Sequence, residues 1–201
     1  MKNFIRLDVL ISALASLPKH YHLPLSNNNF HEFLGEDHQV PAAVIIPIIN
    51  HATGLTVLLT QRTSTLLHHP GQISFPGGRV EPQDKSLEMT ALRETFEEIG
   101  IPATQIQLIG ELPPFHTVAT GYTIAPLIGL ITPPYELKLD PVEVESVFEA
   151  PLDFVLDPQN HHLEKHLIQN HLREYSVIQY KQWRIWGVTA RILVNLAQIL
   201  R

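Results

Sequence analysis

The sequence predicts an α/β fold in which helices pack around a mixed β-sheet. Several apolar runs have the length of strands and are separated by residues that favour hairpins. One strongly periodic helix lies in the middle of the chain, and strands and helices alternate irregularly. This irregular order favours a mixed sheet over a strict βαβ array. A chain of 201 residues corresponds to one large domain or two small ones, and it can bury a sizeable core without disulfides.

The N-terminal segment is predicted to form an amphipathic helix that ends at Pro18. The start of the chain resembles a signal peptide, but Asp8 interrupts the apolar run and leaves it very short. We therefore expect a cytoplasmic protein. A polar stretch over residues 26–39 predicts a linking loop, so we divide the chain into residues 1–40, with the helix and loop, and a domain over residues 41–201. The apolar stripe of the helix consists of Phe4, Leu7, Ile11, Leu14 and Leu17.

The first half of the domain is predicted to hold two strands, a long loop and a helix. The strands cover Ala42–Ile49 and Leu55–Thr60, with hairpin residues between them. Residues 62–80 contain several Pro and Gly residues and predict an ordered loop with a short strand at residues 73–75; loops of this length are usually functional. The helix covers Ser86–Ile99, with Ser86 or the preceding Asp84 as its N-cap and a glycine after its end.

The second half is predicted to continue the mixed sheet. The expected elements are strands at Ile106–Leu112 and Thr123–Ile131, a strand turning into a short helix over Val147–Leu156, a hairpin of Ser176–Tyr180 and Arg184–Trp186, and a final helix over Gly187–Leu200. A histidine-rich segment separates two of these elements and contains His161, His162, His166 and His171. Histidine is a common metal ligand, but we interpret this polar segment as a solvated, variable region.

Composition and charge exclude several functions. The absence of cysteine excludes a disulfide scaffold, a thiol nucleophile, an iron–sulfur cluster and the usual structural zinc site, so any metal must bind Asp, Glu or His. The chain has 14 Lys and Arg against 20 Asp and Glu, a net charge of −6. Scattered basic residues argue against a nucleic-acid partner. No apolar run reaches the roughly 18 residues of a membrane span. An anionic substrate could still bind through a bridging cation.

The central helix concentrates three acids. At about 100° per residue, Met89, Leu92, Phe96 and Ile99 should form its buried stripe. Three glutamates should lie on nearly the opposite side, at positions i, i+3 and i+4, where like charges repel. A hard divalent cation such as Mg²⁺ or Mn²⁺ would offset that repulsion, because these ions prefer oxygen ligands. The alternative is an ordinary solvated face. These acids are Glu94, Glu97 and Glu98.

The loop before this helix supports the metal hypothesis. Gly77 and Gly78 allow backbone N–H groups to approach a phosphate closely, and the start of the helix adds a positive dipole end. A loop and helix of this kind can hold an anion and a metal together. The residues therefore indicate metal-assisted attack on a phosphate ester or anhydride.

Residues Gly78 to Ile101, GRVEPQDKSLEMTALRETFEEIGI, resemble the Nudix box, whose pattern is G-x5-E-x7-R-E-U-x-E-E-x-G-U with U an aliphatic residue. Two departures occur: Asp84 replaces the first Glu, and eight residues instead of seven separate it from Arg93. The coenzyme A pyrophosphatase branch of the family shares both departures. The resemblance implies an α/β/α sandwich around a mixed sheet, with the N-terminal helix as an addition.

Further segments resemble the same branch, over roughly residues 41–193. They are LLTQRTS at residues 58–64, HPGQISFPGG at 69–78, LPP at 112–114, GY at 121–122, EV at 143–144, VFEAPL at 147–152 and IWGVTA at 185–190. The resemblance implies hydrolysis of the diphosphate of coenzyme A or its derivatives to 3′,5′-ADP and 4′-phosphopantetheine. One position departs from the branch signature, because Leu67 stands where an Arg is usual. This departure makes the substrate less secure than the reaction type.

The resemblance also implies roles for individual residues. Glu94 and Glu98 would be the principal ligands of Mg²⁺ or Mn²⁺, with Glu97 assisting directly or through water. Arg93 would orient a glutamate. Water would attack phosphorus, and its base would be Glu97 or Glu143, although an ordinary solvated role for Glu143 is an open alternative. The predicted substrate-binding residues are Arg62, His69, Gly77 and Gly78, and for His69 a structural hydrogen bond within the loop is equally open.

Two alternative functions stay open. The first is a Nudix hydrolase of another nucleoside diphosphate derivative, such as a dinucleotide, ADP-ribose, NADH or a dNTP. The second is a non-catalytic nucleotide or coenzyme A sensor, which would be expected to have lost part of the acidic set. We expect a small-molecule substrate as the partner, with no nucleic acid and no membrane. The N-terminal helix could cover the site or pair with another subunit in a homodimer.

Overall fold

A computed structural model describes residues 5–17, 39–117, 121–168 and 171–201. Its helices are α1 (Leu7–Ala15), α2 (Leu87–Ile99), α3 (Leu152–Leu156) and α4 (Gly187–Ile199). Its strands are β1 (Val40–His51), β2 (Gly54–Arg62), β3 (Ile73–Ser74), β4 (Gly77–Arg79), β5 (Gln107–Glu111), β6 (Phe115–His116), β7 (Tyr122–Ile131), β8 (Val144–Pro151), β9 (His162–Ile168), β10 (His171–Tyr180) and β11 (Trp183–Trp186). Short 3-10 helices lie at Ala103–Gln105 and Pro158–Asn160.

The main sheet is mixed, as predicted. Strand β1 lies at its centre, pairs parallel with β7 and forms an antiparallel hairpin with β2. The path β3–β2–β1–β7–β5 is extended by β8 on β2, β4 on β1 and β6 on β7. Strand β1 is apolar over most of its length because both of its faces are buried. A second sheet has the order β11–β10–β9.

Helices cover both faces of the main sheet. On one face, Ile46 and Ile48 of β1 share a core with α1, α3 and α4. On the other face, Ala43 and Ile45 pack against α2. Successive side chains of a strand point to opposite faces, so β1 supplies both cores. The predicted α/β/α sandwich around a mixed sheet is confirmed.

The N-terminal helix packs through most of its predicted stripe, since Leu14 is buried and Leu7 and Leu17 pack against the main core. Leu10 and Leu14 are buried in the main core, whereas Ile11 is 39% exposed. The helix also lies against β5, where Leu14 contacts Gly110. Pro18 and Phe4 lie outside the described residues, and the domain boundary near residue 40 stays a prediction. No helix among residues 5–17, 39–117, 121–168 and 171–201 is long and apolar enough to cross a membrane.

Most predicted elements are present, and the largest difference concerns the histidine-rich segment. Its residues 162–168 form β9, a strand that was not predicted and that pairs antiparallel with β10. The His161 ring lies 2.8 Å from the Val155 carbonyl oxygen, which is a structural contact. Among the described residues, no group of three His, Asp or Glu side chains suited to a metal is found. The side chains of His166 and His171 lie outside the described set.

Candidate active site

Helix α2 begins and ends where its sequence predicts. The hydroxyl of Ser86 accepts a hydrogen bond from the Met89 N–H at 3.2 Å, which caps the first turn. Gly100 adopts the left-handed conformation with φ of 78°, and its N–H donates to the Phe96 carbonyl. A Cβ at Gly100 would lie 2.7 Å from the Lys138 side chain. Both ends of the helix are therefore fixed.

The buried side of α2 agrees only in part with the predicted one, since Ile99 is buried and Leu92 packs against the core. Met89 is 44% exposed and Phe96 is 56% exposed, although both belong to the predicted apolar stripe. Glu98 was expected on the face opposite the apolar stripe, but it is only 3% exposed. The helix packs against apolar residues of the main sheet through Leu87, Ala91 and Ile99, and two threonines and Glu98 are buried along with them. The buried residues are Leu87, Thr90, Ala91, Thr95, Glu98 and Ile99.

The two glycines of β4 make room for the protein's own atoms. A Cβ on Gly77, whose φ is 153°, would lie 2.4 Å from the backbone oxygen of Ala43 in β1. A Cβ on Gly78 would lie 2.3 Å from the carboxyl carbon of Glu94. Strand β4 therefore runs close to β1 and lets the Glu94 carboxylate rest directly on the Gly78 backbone. This packing explains the need for glycine at both positions, and their predicted contact with substrate stays a prediction.

Arg93 connects the acidic side chains of the site through several hydrogen bonds from its guanidinium. Its Nε donates to Asp84 at 3.1 Å and its Nη2 donates to the same carboxylate at 2.9 Å. Its Nη1 donates to Glu94 and to Glu97, both at 2.9 Å. Nη2 also donates to the Arg79 carbonyl at 3.1 Å. A planar guanidinium can satisfy all of these acceptors at once, which an ammonium cannot.

Asp84 accepts two of these hydrogen bonds from Arg93, and it was missed as a site residue. Burial alone would raise its pKa, but hydrogen bonds from Arg93, the Glu81 N–H and Thr90 outweigh burial and hold the pKa below its ordinary value. The hydrogen bond between Arg93 and Asp84 is also the largest cause of the raised pKa of Arg93. The signal was available in the sequence, since Asp84 stands at the first acidic position of the box pattern. The ion pair of Asp84 and Arg93 therefore joins the loop before α2 to the helix.

Glu98 is the most unusual group of the site. Its Oε2 is buried without a hydrogen-bond partner in the described part of the chain. Burial raises its pKa to about 8; the charge of Arg62 opposes this shift, and the charges of Glu143 and Glu94 add to it. Burial also raises the pKa of Glu94, against the effect of Arg93. An unpaired, buried carboxylate oxygen is costly unless a cation binds it.

A loop brings a fourth carboxylate to this group. The Asp140 N–H donates to the Glu98 carbonyl at 3.0 Å, which joins the loop to the end of α2. Thr63 fixes its other side, since its N–H donates to the Glu143 carbonyl at 2.9 Å and its hydroxyl to the Val142 carbonyl at 2.8 Å. Glu143 consequently influences the pKa of both Glu94 and Glu98. Thr63 is a second residue that the sequence reasoning missed, and no local pattern identifies it.

Two of the predicted substrate-binding residues, Arg62 and His69, lie in different surroundings. Arg62 lies in the site, with Nη1 3.6 Å from Glu98 Oε1 and Nη2 3.9 Å from Glu143 Oε2. His69 is exposed, has a φ of 57°, and its ring lies 3.0 Å from the Gln72 amide oxygen. That contact corresponds to the hydrogen bond within the loop that was the alternative to substrate binding by His69. Leu67 in the same loop is 93% exposed.

The donor set fits a hard divalent cation. All of the converging groups are carboxylates, and one of their oxygens is buried and unpaired. Within the described residues, no three acids or histidines already form a closed metal-binding group. An open arrangement suits Mg²⁺, which commonly uses one or two carboxylates and completes its octahedral shell with water and substrate phosphates. Glu94 and Glu98 are the two carboxylates with the largest buried fraction in this group.

Comparisons with known proteins agree with this geometry. A family model described as the NUDIX domain matches residues 38–170. The chain is 40% identical over 174 residues to "Uncharacterized Nudix hydrolase NudL" of Photorhabdus laumondii, with 87% of each chain covered. It is 42% identical over 163 residues to the protein of the same name from Cronobacter sakazakii, covering 79% of this chain and 82% of that one.

The fold agrees as well. A solved Nudix hydrolase from M. smegmatis, RenU, is 21% identical and superposes with a TM-score of 0.50, covering 59% of this chain and 74% of that one. The matched family model contains the glycine strand, the acidic helix and the Glu143 loop. This chain therefore belongs to the Nudix hydrolase family of enzymes, which act on phosphorus-containing anhydrides.

Proposed function

We propose that this protein hydrolyses the diphosphate of coenzyme A or its derivatives in a reaction that depends on Mg²⁺ or Mn²⁺, giving 3′,5′-ADP and 4′-phosphopantetheine or its acyl form. The observation that carries the reaction type is the buried, unpaired Oε2 of Glu98 within a group of four carboxylates. The substrate rests on the resemblance of residues 58–64, 69–78 and 147–152 to the coenzyme A pyrophosphatase branch.

The metal ligands in this proposal are Glu94 and Glu98, with Glu97 assisting directly or through water. Nudix hydrolases generally use divalent metal ions. The bound cation would neutralise phosphate charge and stabilise the additional charge at phosphorus and on the leaving group. Arg93 supports the ligands, because its donors hold Glu94 and Glu97 on the same side of the helix.

The chain also supplies a base for the attacking water, and we propose Glu143 for this role. Glu97 is already bound to Arg93 at 2.9 Å. Glu143 has no such hydrogen bond to Arg93 and lies close enough to both proposed ligands to influence their pKa. Its loop is fixed by Thr63, so the carboxylate can be held at one position beside the acids. Arg62, between Glu98 and Glu143, would contact the diphosphate.

A second candidate substrate class is another nucleoside diphosphate derivative, and one observation favours it. Leu67 stands at the Arg position of the branch signature and is 93% exposed, so it supplies no positive charge to the substrate side of the loop. A substrate with fewer phosphates than coenzyme A would lose less from this change. The sensor alternative is disfavoured because the acidic set is complete. Homodimer formation is a further expectation.

The test compares substrates under matched conditions. Purified protein is incubated with coenzyme A, acetyl-coenzyme A, ADP-ribose, NADH, a dinucleoside polyphosphate and dNTPs, each with Mg²⁺, with Mn²⁺ or with EDTA, and products are identified by mass spectrometry. We expect metal-dependent formation of 3′,5′-ADP from coenzyme A. Turnover of the other compounds with coenzyme A intact would remove the substrate assignment and keep the reaction type. No metal-dependent turnover of any compound would remove both.

A further inference from the structure

Arg62 contacts two carboxylates without being fixed to either. Its Nη1 is 3.6 Å from Glu98 Oε1, and its Nη2 is 3.9 Å from Glu143 Oε2. Both distances exceed the usual range of N–H···O hydrogen bonds. The guanidinium is therefore held by charge and not by directed bonds, and movement away from Glu98 would break no hydrogen bond between them.

Arg93 provides the contrast within the same site. Its guanidinium donates to two oxygens of Asp84, to two further carboxylates and to a backbone carbonyl. The backbone N–H of Arg62 is fixed by a 2.9 Å hydrogen bond to the Gln72 carbonyl, whereas its guanidinium makes the two longer contacts with carboxylates given above. The pairing of β2 with β8 also changes register between Gln61 and Arg62. Irregularities of this kind redirect side chains next to functional sites.

When the buried carboxylate of Glu98 is ionised, its negative charge needs a cation nearby. Its carboxylate is buried, and the Arg62 guanidinium is the cation it contacts in the structure. A divalent ion bound to the same carboxylate would come close to a guanidinium that lies 3.6 Å from it, and the two cations would repel each other. The diphosphate of a substrate would attract both.

We propose that Arg62 is the resident counter-cation of Glu98 when this carboxylate is ionised in the metal-free protein, and that it leaves Glu98 when a divalent ion binds and becomes available to the substrate diphosphate. This inference rests on the metal ligands of the proposed function. It adds a coupling between the metal ion and the substrate diphosphate. The Arg62 guanidinium competes with the metal ion when no diphosphate is present, and it binds the diphosphate when the metal ion is present. By linkage, the metal and the diphosphate then increase each other's affinity.

The test measures metal affinity without turnover. Mn²⁺ is titrated into substrate-free protein, and free Mn²⁺ is followed by electron paramagnetic resonance. Arg62→Gln should bind Mn²⁺ roughly 5- to 20-fold more tightly than the wild type, because the competitor is removed. Arg79→Gln is the matched control: it removes the same charge from β4, where the side chain is exposed and donates to the Tyr122 hydroxyl. We expect its Mn²⁺ affinity to change less than about twofold.

A thermal scan supplies a second measurement. In EDTA at pH 8.5, Arg62→Gln should melt below the wild type because the ionised Glu98 has lost its counter-charge, and saturating Mn²⁺ should close that gap. If Arg62→Gln does not fold, Arg62→Lys keeps the charge on a more mobile group and should bind Mn²⁺ with intermediate affinity. Unchanged or weaker Mn²⁺ binding in the Arg62 variants, or tightening equal to that of Arg79→Gln, would overturn the inference.

Glu98→Gln separates this inference from the proposed function. If the wild type binds Mn²⁺ and Glu98→Gln does not, the ligand assignment holds, and the Arg62 variants alone decide whether the counter-cation inference is correct. If Glu98→Gln binds Mn²⁺ as the wild type does, the metal ligands themselves are misassigned and both proposals are overturned.

Discussion

Replacing Glu98 by glutamine should change how the stability of the metal-free protein depends on pH. The substitution keeps the shape of a side chain that is 3% exposed and removes its ability to ionise. Burial raises the pKa of Glu98 from an ordinary value of 4.5 to about 8. The folded protein therefore holds a proton on Glu98 at pH values where the unfolded chain has released it.

The sign follows from proton binding. Below pH 4.5 both states are protonated at Glu98, so the group causes no pH-dependent loss. Between pH 4.5 and about 8 the unfolded state binds fewer protons, and folding stability falls as the pH rises. At about 1.4 kcal/mol per unit, this interval amounts to an upper limit of about 5 kcal/mol. Above pH 8 the loss is complete and the difference is constant.

The assay is urea denaturation in EDTA at pH values from 5 to 9, for the wild type and Glu98→Gln. Subtracting the two free energies of unfolding cancels the other titrating groups that both proteins share. We expect the stability of the wild type relative to Glu98→Gln to decrease by several kcal/mol across this range, as an order-of-magnitude figure. A difference that stays flat would refute the burial of an ionisable Glu98. Saturating Mn²⁺ should reduce the pH dependence.

Three further substitutions test the packing of the site. Gly78→Ala places a Cβ 2.3 Å from the Glu94 carboxyl carbon and should lower kcat by about 100-fold with the fold retained, as measured by steady-state kinetics and circular dichroism. Arg93→Lys loses the forked contact with the buried aspartate and should lose about 2 kcal/mol of stability in urea denaturation. Thr63→Val releases the loop that carries the fourth carboxylate and should lower kcat by about 10-fold with about 1 kcal/mol lost. Wild-type kinetics in the first and third variants, or an unchanged urea midpoint in the second, would contradict these expectations.

Elements with local signals could be predicted from the sequence. The ends of α2 were predicted by Ser86 and Gly100, which perform capping roles that depend on only a few neighbouring residues. The β1–β2 hairpin was predicted by two apolar runs and the turn between them. Strand β9 was missed because it is polar and its pairing comes from β10, a partner whose position the local sequence does not give.

The roles of the proposed site residues stay predictions, and the sequence did not predict the burial of Glu98. Hydrophobic periodicity assigns every glutamate to solvent, so it placed Glu98 on the wrong side of α2. The buried position of Glu98 depends on tertiary contacts: the close approach of β4 allowed by its glycines, and the charge of Arg62 from β2. Met89 and Phe96 are exposed because α2 packs against the sheet through Leu87, Ala91 and Ile99.

The most direct test of the central claim is the metal dependence of coenzyme A hydrolysis in Glu98→Gln and in Glu145→Gln, a matched control that neutralises an exposed acid of β8. Product formation is measured across a Mn²⁺ titration, beside the wild type. We predict that Glu98→Gln lowers kcat by at least about 1,000-fold and loses the Mn²⁺ response, and that Glu145→Gln stays within about threefold of the wild type. Near-normal, Mn²⁺-dependent turnover by Glu98→Gln would contradict the claim that this buried carboxylate holds the catalytic metal.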